Sequence, residues 1–375
     1  MIINNAKVYR NGHFESASIE FDSHIRSFSP GEGMDACGAY IIPGLIDVHT
    51  HGAMGIDASD CTAEQIHHLA QFYSDNGVTS FCFTTLTVPA DELRGAMKNI
   101  RAYERFGGEA KCAGVHLEGP FVSRGKCGAQ NPDNIRKPDI ALFNELNELS
   151  GGMVRLITVA PEVEGALDFI REASKVCTVS LGHSTADYDQ AMAGFEAGAT
   201  HVTHLFNGME PFHRRKPGLV GAALTAGANV ELICDGVHIH PAMILAVHKM
   251  FGDRLIIVSD SLRCAGLCDG RYNLGGLPMI VRDGRATLLD GTIAGSSSNL
   301  LQELRNIVSY GVPLEAAVKA MTETPAKDIG VFDSIGSLEV SKCADFLVLN
   351  KDLKLMATFI DGKLVNGTTD FESVK

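Results

Sequence analysis

The sequence predicts an α/β protein, a (β/α)8 TIM barrel joined to a small β-sandwich domain that both ends of the chain form together. The first observation is a series of eight short, β-branched apolar runs between residues 45 and 258, most of them followed by a stretch with helical patterning. Buried strands that alternate with helices indicate a parallel sheet, and eight such units close into a barrel. The second observation is that short alternating strands occur in residues 1–44 and 332–375. We therefore expect the barrel to span residues 45–331.

The eight predicted strands share an apolar, β-branched composition. They lie at 45–48, 80–83, 113–117, 156–159, 177–181, 200–203, 231–234 and 255–258. The predicted helices between them lie at 63–76, 91–106, 140–149, 163–175 and 187–197. Active sites of this fold lie at the carboxyl ends of the strands, so the polar residues that follow the runs are the candidates for function.

The chain ends and one later insertion carry the patterning of antiparallel strands. Residues 6–9 and 17–21 flank an Asn-Gly turn, and 344–349, 357–360 and 363–365 form a similar set at the other end. Neither set buries enough surface alone, so we expect the two to pair into one domain. Residues 262–295 contain four Gly-containing turn signals. They predict a β-hairpin insertion in the last barrel unit, placed to act as a lid.

Composition limits the class of partner. The chain has 375 residues and a formal net charge of −13. This charge argues against nucleic acid and an anionic membrane, because both bind basic surfaces. Ten cysteines without a C-x-x-C pair, and a start without a signal peptide, predict a cytoplasmic protein with free thiols.

Glu118 is the residue around which the site is predicted. It ends the third strand, and a carboxylate buried there needs a cation. His183 and His204 follow the fifth and sixth strands, one βα unit apart, and with Glu118 they form a set that suits a divalent metal. His49 and His51 lie on the same side of the first strand and suit a second ion that Glu118 bridges. We expect one or two ions, chosen from Zn, Fe, Mn and Co.

Asp260 follows the eighth strand and is the candidate general base, because water activated by a metal ion must lose a proton. The alternative for any single histidine at a strand end is a hydrogen-bonded structural role, and we assign that role to His116, His201 and His240. Asp47 is expected to support its strand, and Asp235 to cap a loop.

A basic cluster at 213–216 (HRRK) follows the sixth strand. The alternative is a solvated loop, which is what most charge runs are. Here the cluster projects from the active rim of an acidic protein, so we expect it to meet an anionic substrate group. An arginine fork suits phosphate, and the backbone amides of Asn207 and Gly208 offer further donors.

The chain resembles the amidohydrolase superfamily over nearly its whole length. The matching segments, in chain order, are 43–52 (PGLIDVHTHG), 116–121 (HLEGPF), 160–162 (APE), 182–184 (GHS), 203–209 (THLFNGM), 217–221 (PGLVG), 235–238 (DGVH), 258–260 (VSD) and 295–297 (GSS). The resemblance implies hydrolysis of the acetamide of an N-acetylamino-sugar 6-phosphate to acetate and the free amino sugar phosphate. It implies the glucosamine isomer, with the galactosamine isomer as the alternative.

The resemblance also implies residue roles. Glu118, His183 and His204 would hold the main metal, and Asp260 would be the acid and base. His238 would contact the substrate and steady the developing oxyanion. The phosphate would be held by Asn207, Gly208 and Arg215, with Arg215 reaching the active site of the neighbouring subunit in a homodimer. Gln130 stands where some relatives carry a sugar-contacting histidine, which leaves the choice of sugar isomer open.

Two other classes of function stay open on the sequence. One is a different hydrolase on the same barrel, acting on a cyclic amide or another acetylated sugar, and the basic cluster argues against a neutral substrate. The other is a non-catalytic sugar-phosphate binder, against which the intact Asp260 argues.

Overall fold

The structure is a computed structural model that describes residues 1–371. Its strands are β1 (Ile2–Arg10), β2 (His13–Phe21), β3 (Ile25–Ser27), β4 (Met34–Asp35), β5 (Tyr40–Pro43), β6 (Leu45–Thr50), β7 (Gly52–Ala53), β8 (Ile56–Asp57), β9 (Val78–Thr85), β10 (Lys111–Glu118), β11 (Val154–Val159), β12 (Thr178–Leu181), β13 (His201–Val202), β14 (Asn229–Ile233), β15 (Leu255–Val258), β16 (Gly270–Leu274), β17 (Leu277–Arg282), β18 (Arg285–Leu288), β19 (Ile293–Ser296), β20 (Phe346–Leu349), β21 (Leu355–Ile360) and β22 (Lys363–Gly367).

Its α-helices are α1 (Ala63–Asp75), α2 (Ala90–Ala102), α3 (Ile140–Leu149), α4 (Ala166–Ala173), α5 (Tyr188–Glu196), α6 (Gly218–Ala226), α7 (Pro241–Phe251), α8 (Leu300–Ser309), α9 (Leu314–Ala320) and α10 (Glu323–Asp328). Across residues 1–371, none of the helices has the length and apolar character needed to cross a membrane.

The predicted barrel is confirmed. Eight strands, β6 and β9 to β15, form one parallel sheet in chain order. The last strand returns to the first, where the N–H of Asp260 donates to the carbonyl oxygen of His49 at 2.9 Å. Each strand contains or overlaps one of the eight apolar runs, although β13 spans only His201–Val202. The carboxyl ends of all eight strands therefore meet at one end of the barrel.

Two of the barrel helices, α1 and α5, begin with a capping box. In α1, Ile66, Leu69 and Tyr73 are buried at the i, i+3 and i+7 spacing of a helix face. Thr62 and Gln65 form a capping box at its start, in which each side chain accepts from the backbone N–H of the other residue. Such an N-cap typically contributes about 1 kcal/mol. Asp187 and Gln190 cap α5 in the same way.

Both chain ends pair into one eight-stranded sheet, as predicted. Strand β20 lies antiparallel to β5, with Val348 opposite Ile41, so the last strands continue the sheet that the first ones begin. Phe346 stacks on Phe359 at 4.6 Å between ring centroids inside the core of this small domain. The predicted boundaries at residues 44 and 332 stay a prediction.

The predicted insertion is larger than a hairpin. Strands β16 to β19 form a four-stranded antiparallel sheet over residues 270–296. Leu274 and Ile293 of this sheet, together with Thr292 and Ala294, reach the cavity at the carboxyl end of the barrel. The insertion therefore forms one wall of the candidate site.

Candidate active site

A cavity of about 160 Å³ lies at the carboxyl end of the barrel. Polar side chains from the ends of six barrel strands converge on it, and apolar residues of the loops and of the insertion form the rest of its wall. Its lining comprises His51, Leu86, Glu118, Gly128, Ala129, Gln130, His183, His204, Asn207, Gly208, His238, Asp260, Leu262, Leu274, Thr292, Ile293 and Ala294.

The backbone is strained at three of these strand ends. His183, His204 and Asp260 have φ angles of +46°, +27° and +47°. The left-handed region costs a residue with a side chain about 1–3 kcal/mol, and such residues cluster at functional sites. The hydrogen bond from the Asp260 N–H to His49 holds one of these conformations in place.

The carboxylate of Glu118 lies between two groups of imidazoles. Its Oε1 lies 3.1 Å from His183 Nε2 and 2.8 Å from His204 Nε2. Its Oε2 lies 3.2 Å from His51 Nε2. The side chain of Glu118 is 2% exposed. One buried carboxylate therefore joins the two ligand groups that the sequence predicts.

The far nitrogens of two imidazoles, those of His51 and His183, fix which way the rings point. His51 Nδ1 lies 3.0 Å from the carbonyl oxygen of Thr84, and His183 Nδ1 lies 2.9 Å from that of Lys126. A carbonyl only accepts, so each Nδ1 must carry the proton. In a neutral ring the Nε2 lone pair then faces the cavity. Lone pairs and carboxylate oxygens at such distances repel each other unless a cation lies between them.

His49 gives the sharpest indication of that cation. Its Nε2 is buried and, within residues 1–371, has no hydrogen-bond partner, although it lies 3.4 Å from Glu118 Oε1 and 3.5 Å from Asp260 Oδ1. The donor atoms of His49, His51 and Asp260 fall close enough together for one ion, as do those of Glu118, His183 and His204. Imidazole and carboxylate donors suit a divalent transition metal, so these residues fit such an ion.

The pKa shifts show the same preference for positive charge. Burial alone raises the pKa of Glu118, but His49 and His183 outweigh burial and hold this pKa well below its ordinary value. Burial lowers the pKa of His51, but hydrogen bonds to Asp260 and Glu118 overcome it and raise the pKa to about 9. The pKa values of His49 and His183 are raised as well, so an ion bound here would replace protons on these three imidazoles.

His238 lines the cavity and is oriented by Asp235. Its Nδ1 donates to Asp235 Oδ2 at 2.7 Å, and Asp235 Oδ1 accepts the backbone N–H of Val237 and His238 at 2.8 and 2.9 Å. Burial raises the pKa of Asp235, but the hydrogen bonds from His238 outweigh burial and lower it. Asp235 thus caps its loop, as expected from the sequence, and also fixes the tautomer of His238.

Gln130 contacts the ligand group directly. Its Oε1 accepts the N–H of Thr87 at 2.6 Å, which directs its Nε2 to donate to Glu118 Oε2. The side chain is buried and lines the cavity. It therefore supports Glu118 from a position beside the space where a substrate would lie.

The residues expected at the phosphate divide into two groups. Asn207 and Gly208 line the cavity, and Gly208 has φ +58° and leaves no room for a Cβ, which would lie 2.8 Å from His183 Nδ1. Arg215 is exposed and, in the described chain, lies outside the lining of this cavity, in a second groove with Asp187 and Glu210. The structure thus keeps Arg215 away from the cavity of its own chain.

Two of the polar residues to which a structural role was assigned have their contacts satisfied by the fold. His116 contacts the carbonyl oxygen of Val48 through Nδ1 and the hydroxyl of Thr158 through Nε2, so no lone pair is left for a metal. Asp47 accepts the N–H groups of His49 and Ser259, which ties the first barrel strand to the eighth.

Sequence reasoning missed Glu231. This glutamate is fully buried, its Oε2 lies 2.8 Å from His49 Nδ1, and it accepts the backbone N–H of His204 at 3.0 Å. The available signal was a charged residue inside an otherwise apolar barrel strand, which needs a buried partner. The pattern of the sequence places it only as the first residue of the predicted strand 231–234.

Comparisons with known proteins identify the family of this chain. The model of the amidohydrolase family matches residues 40–365. N-acetylglucosamine-6-phosphate deacetylase of Vibrio furnissii is 36% identical over 330 residues, which cover 87% of this chain and 82% of the relative. N-acetylgalactosamine-6-phosphate deacetylase of Escherichia coli O157:H7 is also 36% identical, covering 87% and 88%. The crystal structure of N-acetyl-D-glucosamine-6-phosphate deacetylase from Mycobacterium smegmatis superposes with a TM-score of 0.90 at 30% identity, covering 98% of this chain and all of that one.

Proposed function

Since the chain belongs to the amidohydrolase family, we propose that it is a metal-dependent deacetylase of N-acetyl-D-glucosamine 6-phosphate. It hydrolyses the acetamide to acetate and glucosamine 6-phosphate in cytoplasmic amino-sugar catabolism. The observation that carries the proposal is the buried Glu118 carboxylate between the Nε2 atoms of His183 and His204 on one side and His51 on the other. This arrangement supports metal-assisted hydrolysis.

The ligands of the proposal are the residues that converge on Glu118. Glu118, His183 and His204 would hold the main ion, and His49 and His51 would hold a second one. A divalent ion bound by these residues would polarise the amide carbonyl and would lower the pKa of a bound water. Zn, Fe, Mn and Co all suit these donors.

Asp260 moves the proton in this mechanism. Its carboxylate lines the cavity and lies 3.3 Å from His51 Nε2. It accepts a proton from the attacking water and then delivers that proton to the amide nitrogen, so that the amine leaves as a neutral group. The same carboxylate is therefore base in the first step and acid in the second.

His238 stabilises the oxyanion of the tetrahedral intermediate. Because its Nδ1 already donates to Asp235, only a doubly protonated ring has a second N–H to donate from Nε2. The ionised Asp235 stabilises that imidazolium. Asp235 is thus part of the proposed acyl-transfer machinery.

The phosphate lies against Asn207 and Gly208, with Arg215 supplied by the neighbouring subunit of a homodimer. The exposed position of Arg215, outside the cavity lining of its own chain, supports this arrangement. Arginine presents a planar fork that donates two hydrogen bonds to phosphate oxygens.

The second candidate is deacetylation of N-acetyl-D-galactosamine 6-phosphate. The Escherichia coli relative with that name is as similar to this chain as the Vibrio relative named for glucosamine. We propose that Gln130 contacts both Glu118 and the sugar. Gln130 therefore belongs to the part of the site that would distinguish the two epimers.

Acetate release tests both candidates. Protein treated with a chelator is assayed with each N-acetylamino-sugar 6-phosphate, and with each sugar without phosphate, before and after addition of Zn, Fe, Mn or Co. The proposal expects metal-dependent release, faster from the glucosamine isomer and slow without phosphate. Faster release from the galactosamine isomer would move the function to the second candidate. Release that does not need metal would refute the mechanism.

A further inference from the structure

A line of charged side chains runs from the active site into the interior of the barrel. Glu231 on β14, His201 on β13 and Asp328 at the end of α10 form this line, which we call the buried relay. Glu231 and His201 are 0% exposed, and the side chain of Asp328 is 2% exposed. Buried charges of this kind are expensive unless each one is paired.

Glu231 touches both proposed ligand groups with a single oxygen. Its Oε2 lies 2.8 Å from His49 Nδ1 and 3.0 Å from the backbone nitrogen of His204. Since a carboxylate only accepts, His49 Nδ1 carries the proton and the Nε2 lone pair of His49 faces Glu118 and Asp260. A carboxylate that accepts from the far nitrogen of a metal-binding histidine fixes its tautomer and makes it a stronger donor.

The rest of the relay lies against the other oxygen of Glu231. Its Oε1 lies 3.2 Å from His201 Nε2, and His201 Nδ1 lies 2.8 Å from Asp328 Oδ2. Asp328 Oδ1 in turn accepts from Asn229 Nδ2 at 2.7 Å. His201 therefore lies between the two carboxylates and gives each of them a buried neighbour.

We propose that Glu231 is the positioning residue for the ion held by His49 and His51, and that His201 and Asp328 hold Glu231 in that role. This inference rests on the metal site of the proposed function, but it concerns the binding of the second ion and not the substrate. The contact with His49 Nδ1 holds this ring with Nε2 toward Glu118 and Asp260. Occupancy of the second site then depends on a residue that touches no metal.

Metal binding tests this inference without any sugar. Metal-free protein is titrated with Co²⁺ or Zn²⁺ in competition with a chelator, and bound metal per chain is measured by mass spectrometry. Wild type should bind two ions. Glu231→Gln should bind the first ion with unchanged affinity and the second 10- to 100-fold more weakly, the range seen when such supporting groups are removed. Asp328→Asn should also weaken the binding of the second ion, but by a smaller factor.

Two further variants make the result specific. His51→Asn removes a proposed ligand of the second ion. Its titration provides the reference for a protein that has lost this ion. Glu109→Gln is the matched control, because Glu109 is also a buried glutamate whose carboxylate lies against a histidine Nδ1, that of His67 at 2.9 Å, away from the site. It should bind both ions as wild type does. Thermal unfolding of each metal-free variant shows whether the chain is folded.

Three results would overturn the inference. Wild type could bind a single ion, Glu231→Gln could bind both ions normally, or folded Glu231→Gln could lose both ions equally. If Glu231→Gln fails to fold, Asp328→Asn decides, because selective weakening of the second ion supports the relay and unchanged binding refutes it. None of these outcomes depends on whether the substrate is glucosamine or galactosamine 6-phosphate.

Discussion

Replacement of Asp260 by asparagine tests the proton-transfer step most directly. Asparagine has the shape of aspartate and tolerates the left-handed conformation, which matters because Asp260 has φ +47°. Its side-chain oxygen can still face His51 and His49, from which Asp260 Oδ1 lies 3.3 and 3.5 Å. The backbone bonds of residue 260 to His49 and Ser296 do not involve the side chain. The variant therefore removes the basicity while it keeps the backbone and the shape of the side chain.

The expected loss follows from the role of a general acid and base. Such a group contributes 10²- to 10⁴-fold to the rate, or about 2.7–5.5 kcal/mol of transition-state stabilisation. We expect kcat for acetate release to fall within that range. The ion held by Glu118, His183 and His204 should stay bound, since Asp260 is absent from that donor group.

The assay compares Asp260→Asn with wild type and with Asp189→Asn, a control at an exposed aspartate of α5. Acetate release is measured at saturating substrate with bound metal quantified in the same samples. A kcat within threefold of wild type, at full metal content, would refute the assignment of Asp260. Loss of all bound metal would show that Asp260 acts chiefly as a ligand, and the proton transfer would then need another group.

Three further predictions follow from the same geometry. Arg215→Ala should raise KM at least tenfold with little change in kcat, and an unchanged KM would exclude Arg215 from the phosphate site. If Arg215 acts across a dimer, mixing Arg215→Ala subunits with Asp260→Asn subunits should restore about a quarter of the wild-type active sites. Gly208→Ala should cost both metal and activity, because the new Cβ would lie 2.8 Å from His183 Nδ1; normal metal content would contradict this. Burial lowers the pKa of His201, but Asp328 and Glu231 outweigh it and raise the pKa to about 10. The protonated His201 thus stabilises the fold fully below pH 6.5, and this contribution of at most about 5 kcal/mol is lost as the pH rises to 10. Urea unfolding of metal-free protein measures the effect. Over this pH range the free energy of unfolding should fall less in His201→Gln than in wild type.

The elements that depend on local pattern could be predicted from the sequence. Helix α3 occupies Ile140–Leu149, the predicted residues, because a capping Asp139 and an apolar stripe define both its ends. Helix α4 begins at Ala166 and not at residue 163, because Gly165 has a left-handed φ of +86°, which is not a helical conformation. The first residue of such a helix depends on one backbone angle, so the sequence predicts only the region in which the helix begins.

The candidate site likewise contains residues that the sequence could predict and others that it could not. His49, Glu118, His183, His204 and Asp260 could be located because each follows an apolar run, and the barrel brings every strand end to one side. That argument needs the order of the strands and no distances. It also explains why Asn207 and Gly208 were found, since they lie just beyond the sixth strand end.

Glu231 could not be located by that argument, because it lies inside a strand and not at its end. Its partner His49 is 182 residues away along the chain, and the contact depends on the register in which β14 lies beside its neighbours, with Glu231 opposite Ile256. His201 and Asp328 meet only because α10 packs against the other end of the barrel. A charged residue in a buried strand therefore indicates that a partner exists, but only the assembled barrel identifies it. In this chain that partner is His49, a proposed metal ligand, so the contacts of the candidate site continue into the interior of the barrel.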